Sequence, residues 1–323
     1  MNKLVSIGIV VIGRNEGERL KLCLQSVRKA KCKVVYVDSD SKDGSAEFAD
    51  SLGISVVRLN DDKPINAAIA RNAGFKQITS ESPELEFIHF IDADCELNAG
   101  WLKHALTVLT DDDKLSAVCG RLREKNVKES IYTQLCDMSW YIRPGIIDSC
   151  GGIATIKVDI FKQFNGFNET LIAGEEPEFY SRVREKGYTV RCLDIAMGTH
   201  DCAMVSFKQW WMRTVKTGFG FANGSQWGAW NKRQHSILIW VLLIPITILC
   251  GSIIEPWLLI SALIFPIQIL KIGIKSTIPY SFKDKLLDAT FCIFAKLPQF
   301  VGMVKYQVSR FSKEQNKNIE YKA

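Results

Sequence analysis

From Ile237 to Ile274 the chain carries only two charged residues, Glu255 and Lys271. A stretch this long and this poor in charge does not suit the surface of a soluble domain, and it divides the chain. Ile237–Ile254 and Trp257–Ile274 are each 18 residues long, separated by Glu255-Pro256. At 1.5 Å per residue each helix would span roughly 27 Å, against a hydrocarbon core of about 30 Å. Pro256 favours a break, and Glu255 belongs at a polar boundary. Lys208, Arg213, Lys216, Lys232 and Arg233 precede the stretch, and Lys271, Lys275, Lys283 and Lys285 lie at its end or after it. This collar suits an anionic membrane surface, with both ends of a helical hairpin on the cytosolic side. Internal Pro245 and Pro266 leave a re-entrant hairpin open as the alternative to a full double crossing. The expected organisation is therefore a catalytic domain over 1–220, an aromatic and basic linker over 221–236, a membrane hairpin over 237–274, and an amphipathic, basic tail over 275–323, with Leu286–Val304 on the membrane surface.

Ahead of this segment charges recur every few residues, as in a folded soluble domain, and apolar runs alternate with helical patterns. Leu4–Ile12 reads as a buried strand, Glu16–Lys29 as a helix, Lys33–Val37 as a strand, Ser45–Leu52 as a helix and Ile54–Leu59 as a strand. Pro64 opens the next helix, followed by a strand at Phe87–Ile91 and a helix at Ala99–Leu109. Strands alternating with helices predict an α/β fold with a parallel sheet covered on both faces, whose ligands bind beyond the carboxyl ends of the strands. Further on, Ser130–Tyr141, Asp159–Phe164, Glu175–Lys186 and Ser206–Thr217 read as helices and Gly151–Ile156 as a strand. Ten cysteines without a CxxC pair argue against zinc knuckles and redox motifs. Several of them, Cys119, Cys192 and Cys292, read as small hydrophobes. The basic residues are not interleaved with aromatics along a groove, so nucleic acid is not an expected partner.

The strand ends hold the chemistry. Strand one leads into Val11-Ile12-Gly13-Arg14-Asn15-Glu16, strand two ends in Val37-Asp38-Ser39-Asp40, and the third helix contains Ala70-Arg71-Asn72-Ala73-Gly74. Strand four ends in Ile91-Asp92-Ala93-Asp94, and Gly174-Glu175-Glu176-Pro177-Glu178 follows later. In an extended chain, side chains two apart point the same way, so Asp92 and Asp94 can address one pocket. Two carboxylates there suit a hard cation with oxygen ligands. Glu16 either contacts a nucleoside or favours the positive end of its helix, and Asp43-Gly44-Ser45 reads as a turn and helix cap. Glu178 reads as acidity at a helix start, and His89, inside strand four, as a core histidine.

This ordered set, over about residues 4–220, resembles the family 2 glycosyltransferases with the GT-A fold. The resemblance implies metal-dependent, inverting transfer of a sugar from a nucleoside-diphosphate donor, UDP type favoured, to a hydroxyl of a saccharide or lipid-linked acceptor. It places the nucleotide sugar against Ile12, Arg14, Glu16, Asp38, Ser39, Arg71 and Asp92, and Mg²⁺ or Mn²⁺ against Asp94, Asp92 and His200, with Asp201 as rival to His200. Where many members have two consecutive Asp, this chain has Asp38-Ser39. Where the family has Glu-Asp, it has Glu175-Glu176, so the general base aligns with Glu176, and Glu175 is the runner-up. The chain would work at the cytoplasmic membrane, facing the cytosol, with membrane lipids as partners. Phe207, Trp210, Trp211, Phe219, Phe221, Trp227, Trp230 and Trp240 read either as an interfacial belt or as a stacking surface. Gln209-Trp210-Trp211-Met212-Arg213 does not match the Gln-x-x-Arg-Trp element of processive synthases, which favours single-sugar transfer. The alternatives are a sugar-1-phosphate nucleotidyltransferase, for which strand one lacks a glycine-rich phosphate loop, and a membrane scaffold with a degenerate transferase domain.

Overall fold

The computed structural model describes residues 6–60, 65–224 and 228–311. The chain divides into two compact units, Met1–Val127 with Trp140–Ala203, and Lys128–Ser139 with Met204–Ala323. Leu4, Val5, Pro64, Trp227, residues 312–323 and the side chain of Trp230 lie outside the described part.

The first unit begins with alternating elements: β1 (Ile7–Gly13), α1 (Glu18–Arg28), β2 (Lys33–Asp38), α2 (Ser45–Ser51), β3 (Ser55–Arg58), α3 (Ala67–Glu81) and β4 (Phe87–Asp92). These strands lie in the order β3-β2-β1-β4, all parallel. Ile9, Val10 and Val11 of β1 and Val35 to Val37 of β2 are fully buried, because helices cover both faces of a parallel sheet. α1 lays Leu20, Cys23, Leu24 and Val27 on the sheet at helical spacing. α3 starts at Ala67 rather than at the proline: the Asn66 side chain caps it by accepting from the Ile69 N–H at 2.8 Å. Gly74 lets α3 approach closely, since a Cβ there would lie 2.3 Å from Val10 Cγ1 and 2.8 Å from Val37 Cγ2.

Next come β5 (Cys95–Leu97), α4 (Trp101–Asp111), β6 (Leu115–Glu124), α5 (Ile131–Ser139), β7 (Gly145–Ile146), β8 (Ala154–Lys157), α6 (Val158–Gln163), α7 (Glu175–Glu185) and β9 (Thr189–His200). Among the described residues nine strands form one sheet, which continues from β4 as β8-β6-β9-β5 with β7 beside β9. The sheet is mixed, not parallel throughout as the alternation implied: β8 is antiparallel to β4 and β6, and β5 is antiparallel to β9. β5 follows β4 after only the Ala93-Asp94 turn, yet it pairs with β9 at the far end of the sheet and not with β4. His89 is a core histidine, fully buried with Nδ1 3.0 Å from Thr155 Oγ1, and burial pushes its pKa down to about 3.

The second unit holds α5, α8 (Phe207–Asn223), α9 (Gly228–Leu238), a π-helical turn (Ile239–Leu243), α10 (Ile244–Ile254), a 3-10 stretch (Pro256–Leu263), α11 (Ile264–Lys275), α12 (Phe282–Phe294) and α13 (Lys296–Phe311). Ser206 and Gln209 close a capping box on α8. Among the described residues three stretches are long and apolar enough to cross a membrane: Lys232–Ile254, Pro256–Lys275 and Phe282–Arg310, of 23, 20 and 29 residues. The first two break at Glu255-Pro256 and lie side by side, with Trp240 and Phe265 5.6 Å apart. They expose Ile253, Ile254 and Trp257 by 76%, 78% and 68%, the surface of helices made for a nonaqueous surrounding. Trp210 is buried against Phe291, whereas Phe207 stays exposed. All ten cysteines are free thiols; Cys119 and Cys192 are buried, and Cys292 is exposed instead of packed.

Candidate active site

Strand register sets the site. Gly13 pairs with Asp38 and Ile12 with Asp92, so the carboxyl ends of β1, β2 and β4 finish side by side. Asp38 is buried, accepting the Tyr36 hydroxyl at 2.9 Å and the Ser41 N–H at 2.9 Å. Burial, then the Asp38 charge, drive the Tyr36 pKa upward, so this phenol donates. The loop after β2 is stitched to the start of α1. The Asn15 N–H donates to Ser41 Oγ, the Lys42 N–H to Asn15 Oδ1, and the Gly17 N–H to Asp43 Oδ2, at 2.9, 2.8 and 2.9 Å. Gly17 itself takes φ 50°, a conformation that favours glycine, as the chain turns into α1. Glu16 is buried and paired with Arg19 at 2.8 Å. Ile12, Arg14 and Ser39 are half-buried around the same strand ends. The structure thus brings all the expected nucleotide-side residues of β1 and β2 to one place.

Arg71 projects from α3 into the heart of the site. It is only 3% exposed, with Nη1 2.8 Å from Glu175 Oε1 and 3.4 Å from Glu176 Oε1, and Nη2 3.1 Å from Asp92 Oδ1. Burial opposes its charge, but Asp92, Glu176 and Glu175 outweigh burial and raise its pKa. One cation among three carboxylates leaves an excess of negative charge. Accordingly burial, then the neighbouring Glu176, push Glu175 up to about 7 against the opposing pull of Arg71. Burial also raises Asp92, with Arg71 opposing and Asp94 adding to the rise. Gly152 closes this cluster from the loop before β8: a Cβ there would sit 2.0 Å from Arg71 Nη2 and 2.8 Å from Glu176 Oε1.

On the other side of Asp92, β5 pairs Cys95 with His200, and the Asp201 N–H donates to the Asp94 carbonyl at 2.9 Å. This brings His200 Nε2 to 3.6 Å from Asp94 Oδ2, while Nδ1 lies 2.5 Å from Glu124 Oε1. Glu124 also accepts the Trp140 indole N–H at 2.7 Å and the Cys202 N–H at 3.1 Å. His200 thus stands between two carboxylates, Glu124 at Nδ1 and Asp94 at Nε2: as an imidazolium it donates to both, and as a neutral ring donating Nδ1–H to Glu124 it would leave Nε2 and Asp94 to hold a cation. Burial pushes Asp94 up, but His200 and then Arg19 hold it below the usual carboxylate value. The ligand atoms of Asp94, Cys95 and His200 lie within 4.8 Å of one another. Burial, then Asp94 and Asp92, keep the Cys95 thiol protonated, so the donor set suits a hard cation through oxygen and imidazole. The rival Asp201 instead turns its carboxylate to the Ala203 N–H. Glu178 pairs with Arg182 at 2.6 Å, as a helix-start acid with a local partner.

Gly152, Glu124 and Trp140 are parts of this arrangement that sequence reasoning missed. The only signals were a Gly-Gly pair and an acid closing an apolar run.

A sheet of this order with acidic strand ends and a carboxylate pair on a facing helix defines a nucleotide-sugar-binding GT-A architecture. Residues 8–208 match the model of Glycosyl transferase family 2, and the chain belongs to that family. A glycosyltransferase, AglE, of Haloferax volcanii is 21% identical over 207 residues, 60% of this chain and 66% of that protein. The 4,4'-diaponeurosporenoate glycosyltransferase of Staphylococcus haemolyticus is 31% identical over 106 residues, 32% of this chain and 27% of that protein. The chain therefore spans less than two thirds of the length of either relative. The mannosyltransferase PcManGT of Pyrobaculum calidifontis, solved in complex with GDP-Man and Mn²⁺, shares the fold with a TM-score of 0.56 at 16% identity, covering 94% of this chain and 87% of that one.

Two outcomes follow from the Arg71 cluster. Gly152→Ala should cut turnover by at least about tenfold and also lower Tm, because the added methyl pushes Arg71 and Glu176 out of their buried ion pairs; kcat and Tm of the purified variant check this. Glu175 is a carboxylate whose folded pKa, about 7, exceeds its ordinary value of 4.5. The native state then holds its proton more tightly than the unfolded chain, so this group's contribution to stability falls as pH rises from about 4.5 to 7. Denaturant melts across that range should show a flatter pH dependence for Glu175→Gln than for the parent.

Proposed function

We propose that this glycosyltransferase moves a sugar, with inversion, from a nucleoside-diphosphate donor, UDP type favoured, to a hydroxyl of a lipid-linked or cell-surface saccharide at the cytosolic face of the cytoplasmic membrane. The observation that carries the reading is the meeting of Asp38, Asp92, Asp94 with His200, and the Glu175–Glu176 pair around the ends of β1, β2 and β4. The GDP-Man and Mn²⁺ complex of the archaeal mannosyltransferase supports the diphosphate and metal parts of it.

Asp38, Ser39, Ile12, Arg14 and Glu16 form the nucleoside side, and Asp92 orients the ribose or sugar. Asp94 and His200, with Asp92 adjacent, would hold Mg²⁺ or Mn²⁺, which neutralises the diphosphate as it leaves. Glu124 fixes the His200 ring so that Nε2 faces Asp94. Glu176 takes the proton of the acceptor hydroxyl as its oxygen attacks the anomeric carbon. The bond to the diphosphate breaks, and the nucleoside diphosphate departs with the electron pair. Glu176 is preferred over Glu175 because its side chain is 19% exposed against 5%, and its contact with Arg71 is longer, 3.4 Å against 2.8 Å. Arg71 holds both glutamates and Asp92 in register; its guanidinium faces these carboxylates, a position from which it steadies the diphosphate side through Asp92.

Glu176→Gln should lower kcat by roughly 10²–10⁴ while donor binding persists, since a general base acts only as the acceptor attacks. The same loss in Glu175→Gln with Glu176→Gln unaffected would transfer the base role to Glu175. Asp94→Asn should abolish both transfer and the metal dependence of nucleoside-diphosphate binding by calorimetry, with the fold retained. Full activity of the parent in excess chelator would overturn the metal assignment.

A further inference from the structure

The α12–α13 stretch, Phe282–Arg310, is long and apolar enough to cross a bilayer, yet it is built differently from the hairpin before it. Charge is the first difference. α8, α12 and α13 together contain eight Lys and Arg (Lys208, Arg213, Lys216, Lys283, Lys285, Lys296, Lys305, Arg310) against two acids, Asp284 and Asp288. Their excess of six equals the net charge of the whole chain, +6, so the remainder is electroneutral. Packing is the second. α13 lies on α8 with backbones touching: a Cβ on Gly302 would meet Val215 O at 2.0 Å, and one on Gly218 would meet Gln299 O at 2.0 Å. Gly302, Met303 and Tyr306 use that inner face. The adjoining outer face carries Phe294, Leu297, Val301, Val304 and Val308 at alternating spacings of three and four. Four of these are 51%, 46%, 44% and 59% exposed (Phe294, Leu297, Val304, Val308), and Phe207 of α8 extends the patch toward Phe294.

Position decides what covers this stripe. Ile237, where the apolar run begins, packs with Ala222 of α8 and Met303 of α13. Gly273, where the run ends, lies against Leu286 of α12, to which a Cβ would come within 2.9 Å. The same stretch therefore meets both mouths of the hairpin, at residues 286 and 303. A crossing helix leaving the second mouth would carry residue 303 toward the opposite leaflet, about 25 Å away at 1.5 Å per residue. Residue 303 instead sits at the first mouth. Side-chain bonds bind the same layer together: Gln134 of α5 donates to Asp284 at 2.7 Å, and Tyr280 donates to Asp137 of α5 at 2.7 Å.

We propose that α8, α12 and α13 form an in-plane platform on an anionic lipid surface, with the Phe294–Val308 stripe lowered to the acyl boundary and the Lys and Arg side chains reaching lipid phosphates. This deepens the membrane reading and rests on Ile237–Ile274 entering the bilayer. The platform holds the second unit at one leaflet, and its cations make that hold sensitive to lipid charge. Each Lys or Arg near an anionic surface is worth about fivefold in partitioning.

Two measurements on the full chain test it. A green fluorescent protein or alkaline phosphatase reporter fused after Ala323 reads the side reached by the C-terminus. The expected result is fluorescence without phosphatase activity, the side on which the hairpin starts, and active phosphatase would overturn the proposal by showing a third crossing. Hydrogen–deuterium exchange is then compared in nanodiscs of phosphatidylcholine alone and with phosphatidylglycerol. Peptides over 207–223 and 282–310 should exchange at least about fivefold more slowly with the anionic lipid, and Lys305→Glu with Arg310→Glu should remove most of that difference. Equal exchange in both discs overturns the proposal: equal protection means burial in hydrocarbon, and equal exposure means no lipid contact. Peptides over 237–274 should be protected in both discs. Their exposure would mean that the membrane reading itself has failed, separately from the platform.

Discussion

A buried guanidinium among three carboxylates governs how this site is put together. Arg71 is nearly inaccessible, so its charge is tolerable only because Asp92, Glu175 and Glu176 surround it. Removing one partner from such a buried pair typically costs about 3–5 kcal/mol, far more than any surface ion pair. The requirement reaches outward. α3 must come close enough to the sheet to deliver Arg71 to the strand ends, and the absence of a side chain at Gly74 permits this. The loop before β8 must pass tight against the guanidinium, and Gly152 permits that. α7 must begin with both glutamates facing inward, and Gly174, at φ 84°, turns the chain into it.

The same interaction links the two chemical halves. Asp92 touches Arg71 on one side and adjoins Asp94 on the other, so in the proposed function the acceptor side and the diphosphate side would share one carboxylate. Burial first, and a neighbouring carboxylate after it, raise Glu175 and Asp92 in this cluster. Asp94 is the exception: burial raises it, but His200 and then Arg19 hold it below the usual carboxylate value.

How much of this was legible in the sequence follows from how local each signal is. β1, β2 and β4 are central parallel strands, buried on both faces, so they appear as mostly apolar runs, with only His89 interrupting β4, and β2 and β4 end abruptly in Asp38 and Asp92. The ordered motifs at those ends were enough for the family and for the parallel half of the sheet. The other half was harder. β6 and β9 run beside each other with register shifts near Gly120 and Arg121, which blur the period-two pattern, and β5 is three residues long. Glu124 meets His200 across 76 positions and Arg71 meets Glu175 across 104, and no window of sequence contains either pair. Gly152 was read as part of the strand Gly151–Ile156, and nothing local showed that its lack of a side chain makes room for Arg71.

Charge is distributed between the units in a way that bears on how an anionic donor is held. Met1–Val127 with Trp140–Ala203 carries 25 Lys and Arg against 28 Asp and Glu, a net of −3, which leaves +9 of the chain's +6 total on the second unit. A unit of net −3 gains nothing from its bulk charge in attracting a nucleoside diphosphate, which long-range steering would disfavour. In the proposed function recognition there would be local, through positioned N–H groups, hydrogen-bonding carboxylates and a cation held by Asp94 and His200 at short range, where attraction in a partly buried site outweighs the distant field. The second unit has no such constraint. Its cations are spread along helices beside an apolar hairpin, where an extended field suits an extended charged surface.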